Sequence, residues 1–171
     1  MGLPLQSCTE LLMKKIHLIR HAKSSWKDAS LADIDRPLNK RGRKTCHFMA
    51  QHILDAGCCF DYVFCSPAVR AQATIALLNS SLEDVDIEWH TKKKLYTFDS
   101  GVLFAWCRSL DESISEPLII GHNPAVTDFC NALSNSRVEN VPTCGYVQLV
   151  VKEACRWQEL AAGAAELAVL L

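Results

Sequence analysis

Three polar clusters in the chain each follow a short apolar run: Arg20-His21 after Ile16-His17-Leu18-Ile19, Ser66 and Arg70 after Tyr62-Val63-Phe64-Cys65, and His122-Asn123 after Pro117-Leu118-Ile119-Ile120. Runs of this length, rich in β-branched residues, read as buried strands. In an open parallel sheet, ligands sit beyond the carboxyl ends of the strands, so the three clusters should meet at one spot. Imidazoles, guanidiniums and helix N-termini gathered there suit an anion with several oxygens, which points to phosphate.

Each residue alone carries little. A single histidine after a strand is more often structural than catalytic, and an arginine in the first turns of a helix usually lies on the surface. The shared placement of Arg20, His21, Arg70 and His122 gives them weight. His17 lies inside a strand and reads as structural; His47, His52 and His90 read as solvated. Arg36, in Asp35-Arg36-Pro37-Leu38, either adds a contact to the anion or anchors its loop through Asp35. Ser24 can offer a hydroxyl and Lys23 can steer anions, and both also fit plain loop residues.

The elements that must position these groups alternate along the chain. Asn39 caps a helix with Cys46, Met49, Ala50, Ile53 and Leu54 on its apolar face, closed by Gly57. Ser66-Pro67 opens a second helix bearing Val69, Ala73, Ala76 and Leu77. A weaker strand is expected over Val85 to Trp89 and a helix over Asp99 to Leu110. Asn123 is expected to cap a helix with Val126, Phe129, Cys130 and Leu133 inward. Gly145 to Val151 and Arg156 to Leu160 read as two antiparallel edge strands. The Ala- and Leu-rich tail from Ala161 reads as a short helix or a frayed end. Strands alternating with helices imply an α/β three-layer sandwich: a mostly parallel central sheet, helices on both faces and an antiparallel edge hairpin.

At 171 residues, 49% hydrophobic and 22% charged, the composition fits one globular domain. Residues 13–160 are taken as that domain and 161–171 as a tail. Met13-Lys14-Lys15-Ile16 looks like a natural start, so residues 1–12 are read as a disordered extension. A balance of 18 basic against 19 acidic residues argues against nucleic acid or an anionic membrane as default partners. No apolar run approaches the roughly 18 residues of a membrane helix, and no export signal is visible. The 9 cysteines are odd in number, form no CxxC pair and sit among apolar neighbours, which points to free thiols in a reducing, cytoplasmic setting.

Four segments also carry a resemblance: Leu18-Ile19-Arg20-His21-Ala22-Lys23-Ser24-Ser25-Trp26, Asp35-Arg36-Pro37-Leu38-Asn39, Cys65-Ser66-Pro67-Ala68-Val69-Arg70-Ala71-Gln72-Ala73-Thr74 and Ile119-Ile120-Gly121-His122-Asn123-Pro124. In this order, from about Met13 to Leu160, the chain resembles the histidine phosphatase superfamily, and most of all its small SixA-type phosphohistidine phosphatases. The resemblance implies a histidine nucleophile, His21, that is transiently phosphorylated, with Arg20, Arg70 and His122 holding the phosphoryl group. Cations around His21 should keep it neutral, as a nucleophilic imidazole must be, and would face the oxygens where transition-state charge gathers. The resemblance implies inorganic phosphate as product and a histidine-phosphorylated protein of a signalling relay as substrate; no cofactor is expected, and no metal, since guanidiniums beside the two histidines would repel a divalent cation.

Two positions depart from the wider family. Where many members place an acidic general acid, this chain reads Leu95-Tyr96-Thr97, with Asp99 two residues out of place and at a helix start; the third residue of the Arg-His-Gly motif is Ala22. An alkoxide leaving group needs a proton donor, whereas an imidazole leaves readily once protonated near its pKa of about 6.5. The departures favour N–P cleavage. A phosphatase for small phosphomonoesters or other phosphorylated protein residues, and a non-catalytic phosphate-binding module, are the alternatives.

Overall fold

Side-chain alternation along the central strands sets the architecture. The computed structural model describes residues 13–171, and the extension expected over residues 1–12 lies outside the described residues. Ile16, Leu18 and Ile119 face one apolar cluster, while Ile19, Leu118 and Ile120 face the other. Both faces of the sheet are therefore covered, which is why its strands read as apolar runs and not as alternating ones.

The strands are β1 (Lys15–Arg20), β2 (Tyr62–Cys65), β3 (Trp89–Thr91), β4 (Pro117–Gly121), β5 (Tyr146–Val151) and β6 (Ala165–Leu170). They form a 6-stranded sheet in the order β3-β2-β4-β1-β5-β6. The first four are parallel; β5 and β6 are antiparallel at one edge. Helices α1 (Lys40–Asp55) and α2 (Val69–Ser80) cover one face, α3 (Ser100–Arg108) and α4 (Ala125–Ser134) the other.

The expected caps of α1 form: Asn39 accepts from the Gly42 amide at 2.8 Å, and Gly57 ends the helix at φ +82°. Gly42 is needed for another reason. A Cβ there would run into the backbone of Lys23, so the glycine lets the loop after β1 lie directly on the first turn of α1.

The sheet departs from the sequence reading in three places. The third strand falls at Trp89–Thr91, later than Val85 to Trp89. Residues 156–160 form no strand: Trp157–Glu159 is a 3₁₀ turn that buries Trp157, whose indole nitrogen donates to the Ile114 carbonyl at 2.8 Å. The edge strand comes instead from the tail expected to be a helix or a frayed end. Ala165, Leu167 and Val169 alternate inward in β6, and its pairing with β5 overrides the helix propensity of alanine and leucine.

Candidate active site

Strand register brings the three polar clusters to one level. Arg20 lies opposite Gly121, and Cys65 opposite Ile120. His21, His122 and Ser66 therefore emerge together just beyond the ends of β1, β4 and β2, held by the His21 amide on Gly121 O at 3.0 Å and the Ser66 amide on Ile120 O at 3.1 Å. Arg70 reaches the same point from the first turn of α2, and the ring centroids of His21 and His122 lie 5.0 Å apart. All four of Arg20, His21, Arg70 and His122 are thus brought together.

Hydrogen bonding assigns the tautomers. His21 Nδ1 lies 2.7 Å from the Ala22 carbonyl, an acceptor only, so this nitrogen carries the proton. Nε2 keeps its lone pair, facing the Arg70 Nε–H at 3.2 Å. Burial, reinforced by Arg70, Arg20 and Arg36 and opposed by the Ala22 bond, brings the His21 pKa down to about 4. The cations expected to keep this imidazole neutral do act in that direction, but desolvation acts more strongly.

His122 is 1% exposed. Its Nδ1 takes a bond from Arg70 Nη2 at 3.3 Å, so Nε2 is the protonated nitrogen and donates to Ser66 Oγ at 2.7 Å. Burial, with His21 and Arg70 beside it, lowers its pKa to about 3. Ser66 is a contributor the sequence reading placed at the strand end without a role. Its position immediately after the strand was the available signal.

A second residue went unnoticed. Asp33 accepts from Arg36 Nη1, Arg70 Nη2 and the Tyr96 hydroxyl, each at 2.8 Å, and its backbone carbonyl accepts from Arg70 Nη1. Partial burial raises its pKa, and the Tyr96, Arg70 and Arg36 contacts outweigh this, taking the carboxyl down to about 2. The i,i+3 spacing to Arg36 is the only sequence trace of this role.

Arg36 is an anchor, though through Asp33 and not Asp35. Its Nε donates to the Ser25 carbonyl at 3.1 Å and its Nη2 to Ser24 Oγ. That bond uses a lone pair of the Ser24 hydroxyl and leaves its O–H free to donate, and both residues line the cavity. Asn123 does not cap α4, whose N-cap is Pro124. Its Nδ2 donates to Asn140 Oδ1 at 2.8 Å and to Val141 O at 3.2 Å. Arg20 Nη1 uses the same two acceptors, at 3.1 and 2.8 Å. Residues 140–141 thus clamp Arg20, whose Nε is buried without a partner.

Arg20, His21, Ser24, Asp33, Arg36 and Arg70 line an open cavity of about 390 Å³, with Thr143 and the exposed Lys23, Trp26 and Phe98 completing its wall. Asp33 is the one carboxylate among the lining residues. Asp99 instead caps α3, accepting from the Gly101 amide at 2.7 Å, and Thr97 Oγ1 accepts from the Asp99 amide at 3.1 Å. Among the described residues, no three His, Cys, Asp or Glu side chains gather as a metal centre would require, and the cysteines are free thiols. No helix of the described residues is long and apolar enough to cross a membrane.

A largely buried, neutral imidazole beside arginine side chains at parallel strand ends can receive an anion, and comparison with known proteins gives the class. The family model of the histidine phosphatase superfamily (branch 1) matches residues 16–105, and the chain belongs to that superfamily of phosphatases. An uncharacterized protein of Mycobacterium leprae is 29% identical over 161 residues, covering 87% of this chain and 96% of its own length. Two solved structures share the fold. A candidate phosphohistidine phosphatase SixA of Nakamurella multipartitia has TM-score 0.73 at 21% identity, covering 93% of this chain and 95% of its own. The protein histidine phosphatase SixA complexed with tungstate has TM-score 0.73 at 20% identity, over 92% and 96% of the two chains.

Proposed function

We propose that this protein is a metal-independent phosphohistidine phosphatase acting on a histidine-phosphorylated protein in a cytoplasmic signalling relay. The observation that carries the reading is His21 Nε2: an unprotonated nitrogen, fixed in its tautomer by Ala22 and aimed at Arg70. Nε2 attacks the phosphorus of the substrate as the substrate's N–P bond breaks. The departing imidazole, already protonated on its other ring nitrogen, keeps the bonding electron pair and leaves as neutral imidazole. Arg20 and Arg70 face the phosphoryl oxygens, where charge concentrates in the transition state, and His122 steadies Arg70 through Nδ1. Water then attacks phospho-His21, releasing inorganic phosphate and restoring the free imidazole. No cofactor takes part.

The state of the acids supports N–P over O–P cleavage. Asp33, at about 2, is ionised and cannot donate a proton at neutral pH, and Asp99 is committed to its helix cap. The solved SixA is complexed with tungstate, itself an oxyanion, which supports reading this site as one for an anion.

The test is kcat/KM across phosphohistidine, aryl phosphate and alkyl phosphate substrates. Phosphohistidine and activated aryl phosphates should exceed phosphoserine by about 10²–10⁴-fold, the usual worth of a general acid. A flat dependence on leaving-group pKa would mean that an efficient acid is present and would favour a small-phosphomonoester phosphatase. No turnover of any substrate would leave a phosphate-binding module.

A further inference from the structure

Two exposed aromatic rings stand at the mouth of the cavity, and nothing in phosphoryl capture uses them. Trp26 is 78% exposed and Phe98 47%, while Arg70, which lines the same cavity, is 2% exposed. Both rings are held in place. The Arg36 guanidinium carbon sits 3.2 Å from the centre of the Trp26 ring, and Arg36 is itself tied to Ser24, Ser25 and Asp33. One face of the indole is thus fixed and the other open. Phe98 rests edge-on against Tyr96, at 5.6 Å and 70°, and tilted against His122 at 5.6 Å.

Their position relative to the nucleophile gives them a task. Attacking and leaving atoms lie roughly in line across a transferring phosphoryl group. With His21 Nε2 facing the buried Arg70, the leaving group points out through the mouth, toward Trp26 and Phe98. A flat ring there can cover their open faces; a serine Cβ or an acetyl group cannot.

We infer that Trp26 and Phe98 are specificity-determining residues that select phosphate carried on a planar aromatic ring. This rests on the phosphatase reading above and adds the means by which the leaving group is recognised. Imidazole and phenol rings share the required chemistry. A protonated imidazole leaving group has the further advantage of cation–π attraction to an indole face.

The experiment compares wild type, Trp26→Ala, Phe98→Ala and Trp26→Phe on three substrates: a phosphohistidine peptide, a phosphotyrosine peptide and acetyl phosphate, which has no ring. Each alanine variant should lose about 3- to 10-fold in kcat/KM on the ring substrates, the scale of an aromatic pair, while acetyl phosphate stays within about twofold. Trp26→Phe should recover most of the loss. A loss confined to one peptide supports the inference and names the ring as imidazole or phenol. An equal loss on acetyl phosphate would make Trp26 a prop for the Arg36 loop and overturn the inference, as would no loss on any substrate. Failure of wild type to cleave any of the three substrates in a His21-dependent way would instead overturn the phosphatase reading itself.

Discussion

His17 and His21 lie on one strand and the loop it feeds, and burial is the largest cause lowering both pKa values. Only one of them can act as a nucleophile. His17, inside β1, has its Nδ1 2.8 Å from the Tyr146 hydroxyl and its Nε2 3.3 Å from Glu116, and is 0% exposed. Both nitrogens are committed to the protein. His21 stands one residue past the end of the same strand, where a backbone carbonyl takes Nδ1 and Nε2 meets only a donor. A perturbed pKa is shared by the structural and the reactive imidazole. The difference lies in which nitrogen the end of the strand leaves open.

The largest effect should separate these two histidines directly. His21→Ala should abolish turnover, by roughly 10⁴-fold or more on the scale of removing a covalent nucleophile, with the fold intact. His17→Gln should leave kcat/KM near wild type but lower stability by about 1–3 kcal/mol, the cost of disturbing a buried hydrogen-bonded group. Steady-state kinetics and denaturant unfolding on both variants decide it, together with a search for phospho-His21 by mass spectrometry under acid-free conditions. Full activity in His21→Ala, or lost activity in stably folded His17→Gln, would erase the distinction.

The contrast was partly legible in the sequence. Arg20, His21, Arg70 and His122 could be gathered because strand ends in a parallel sheet share a level, and apolar runs mark where strands end. Asp33 and Asn140 could not. They reach the site from loops, and loop paths depend on packing that no periodicity records. Asn123 misled for a related reason: an asparagine before proline at a helix start looks like a cap, yet its side chain turns to Asn140 and Val141. The tail misled because alanine and leucine favour a helix, and only the exposed edge of β5 makes a strand the better solution there.

Acid should expose the next difference. A neutral His21 is required for attack, so activity should hold from neutral pH downward and fall as pH drops through about 4. Stability moves the same way. With the folded pKa near 4 and the ordinary value 6.5, the unfolded chain binds the proton more readily. The penalty is absent above the ordinary value, grows as pH falls through the interval and is complete below the folded pKa, amounting to roughly 3 kcal/mol at 1.36 kcal/mol per pKa unit. His21→Asn should flatten the slope of melting temperature against pH in that window. An unchanged slope would show that burial does not act on His21 as described.

A smaller effect tests the clamp on Arg20. Asn140→Ala removes an acceptor shared by Arg20 Nη1 and Asn123 Nδ2, while the Val141 carbonyl still holds both. One lost hydrogen bond of about 0.5–1.5 kcal/mol corresponds to roughly 2- to 12-fold weaker binding of inorganic phosphate, with kcat changing less. Inhibition by phosphate measures it. Unchanged inhibition would mean that Val141 alone positions Arg20.

The smallest effect, none, is expected on removing metal, and the lone pairs say why. His122 spends one nitrogen on Arg70 and the other on Ser66, and His21 spends Nδ1 on Ala22 while its Nε2 lone pair faces the Arg70 Nε–H. Asp33 is held by two arginines and a tyrosine. A catalytic zinc ion needs three protein ligands and a fourth open position, and here it would also sit against guanidiniums placed to neutralise phosphoryl oxygens. Activity on phosphohistidine should therefore survive exhaustive dialysis against EDTA. Loss of turnover, restored by one particular metal, would require these nitrogens to rearrange away from Arg70 and Ser66. It would also remove the feature that sets His21 apart from His17, since metal coordination would then decide which lone pair reacts.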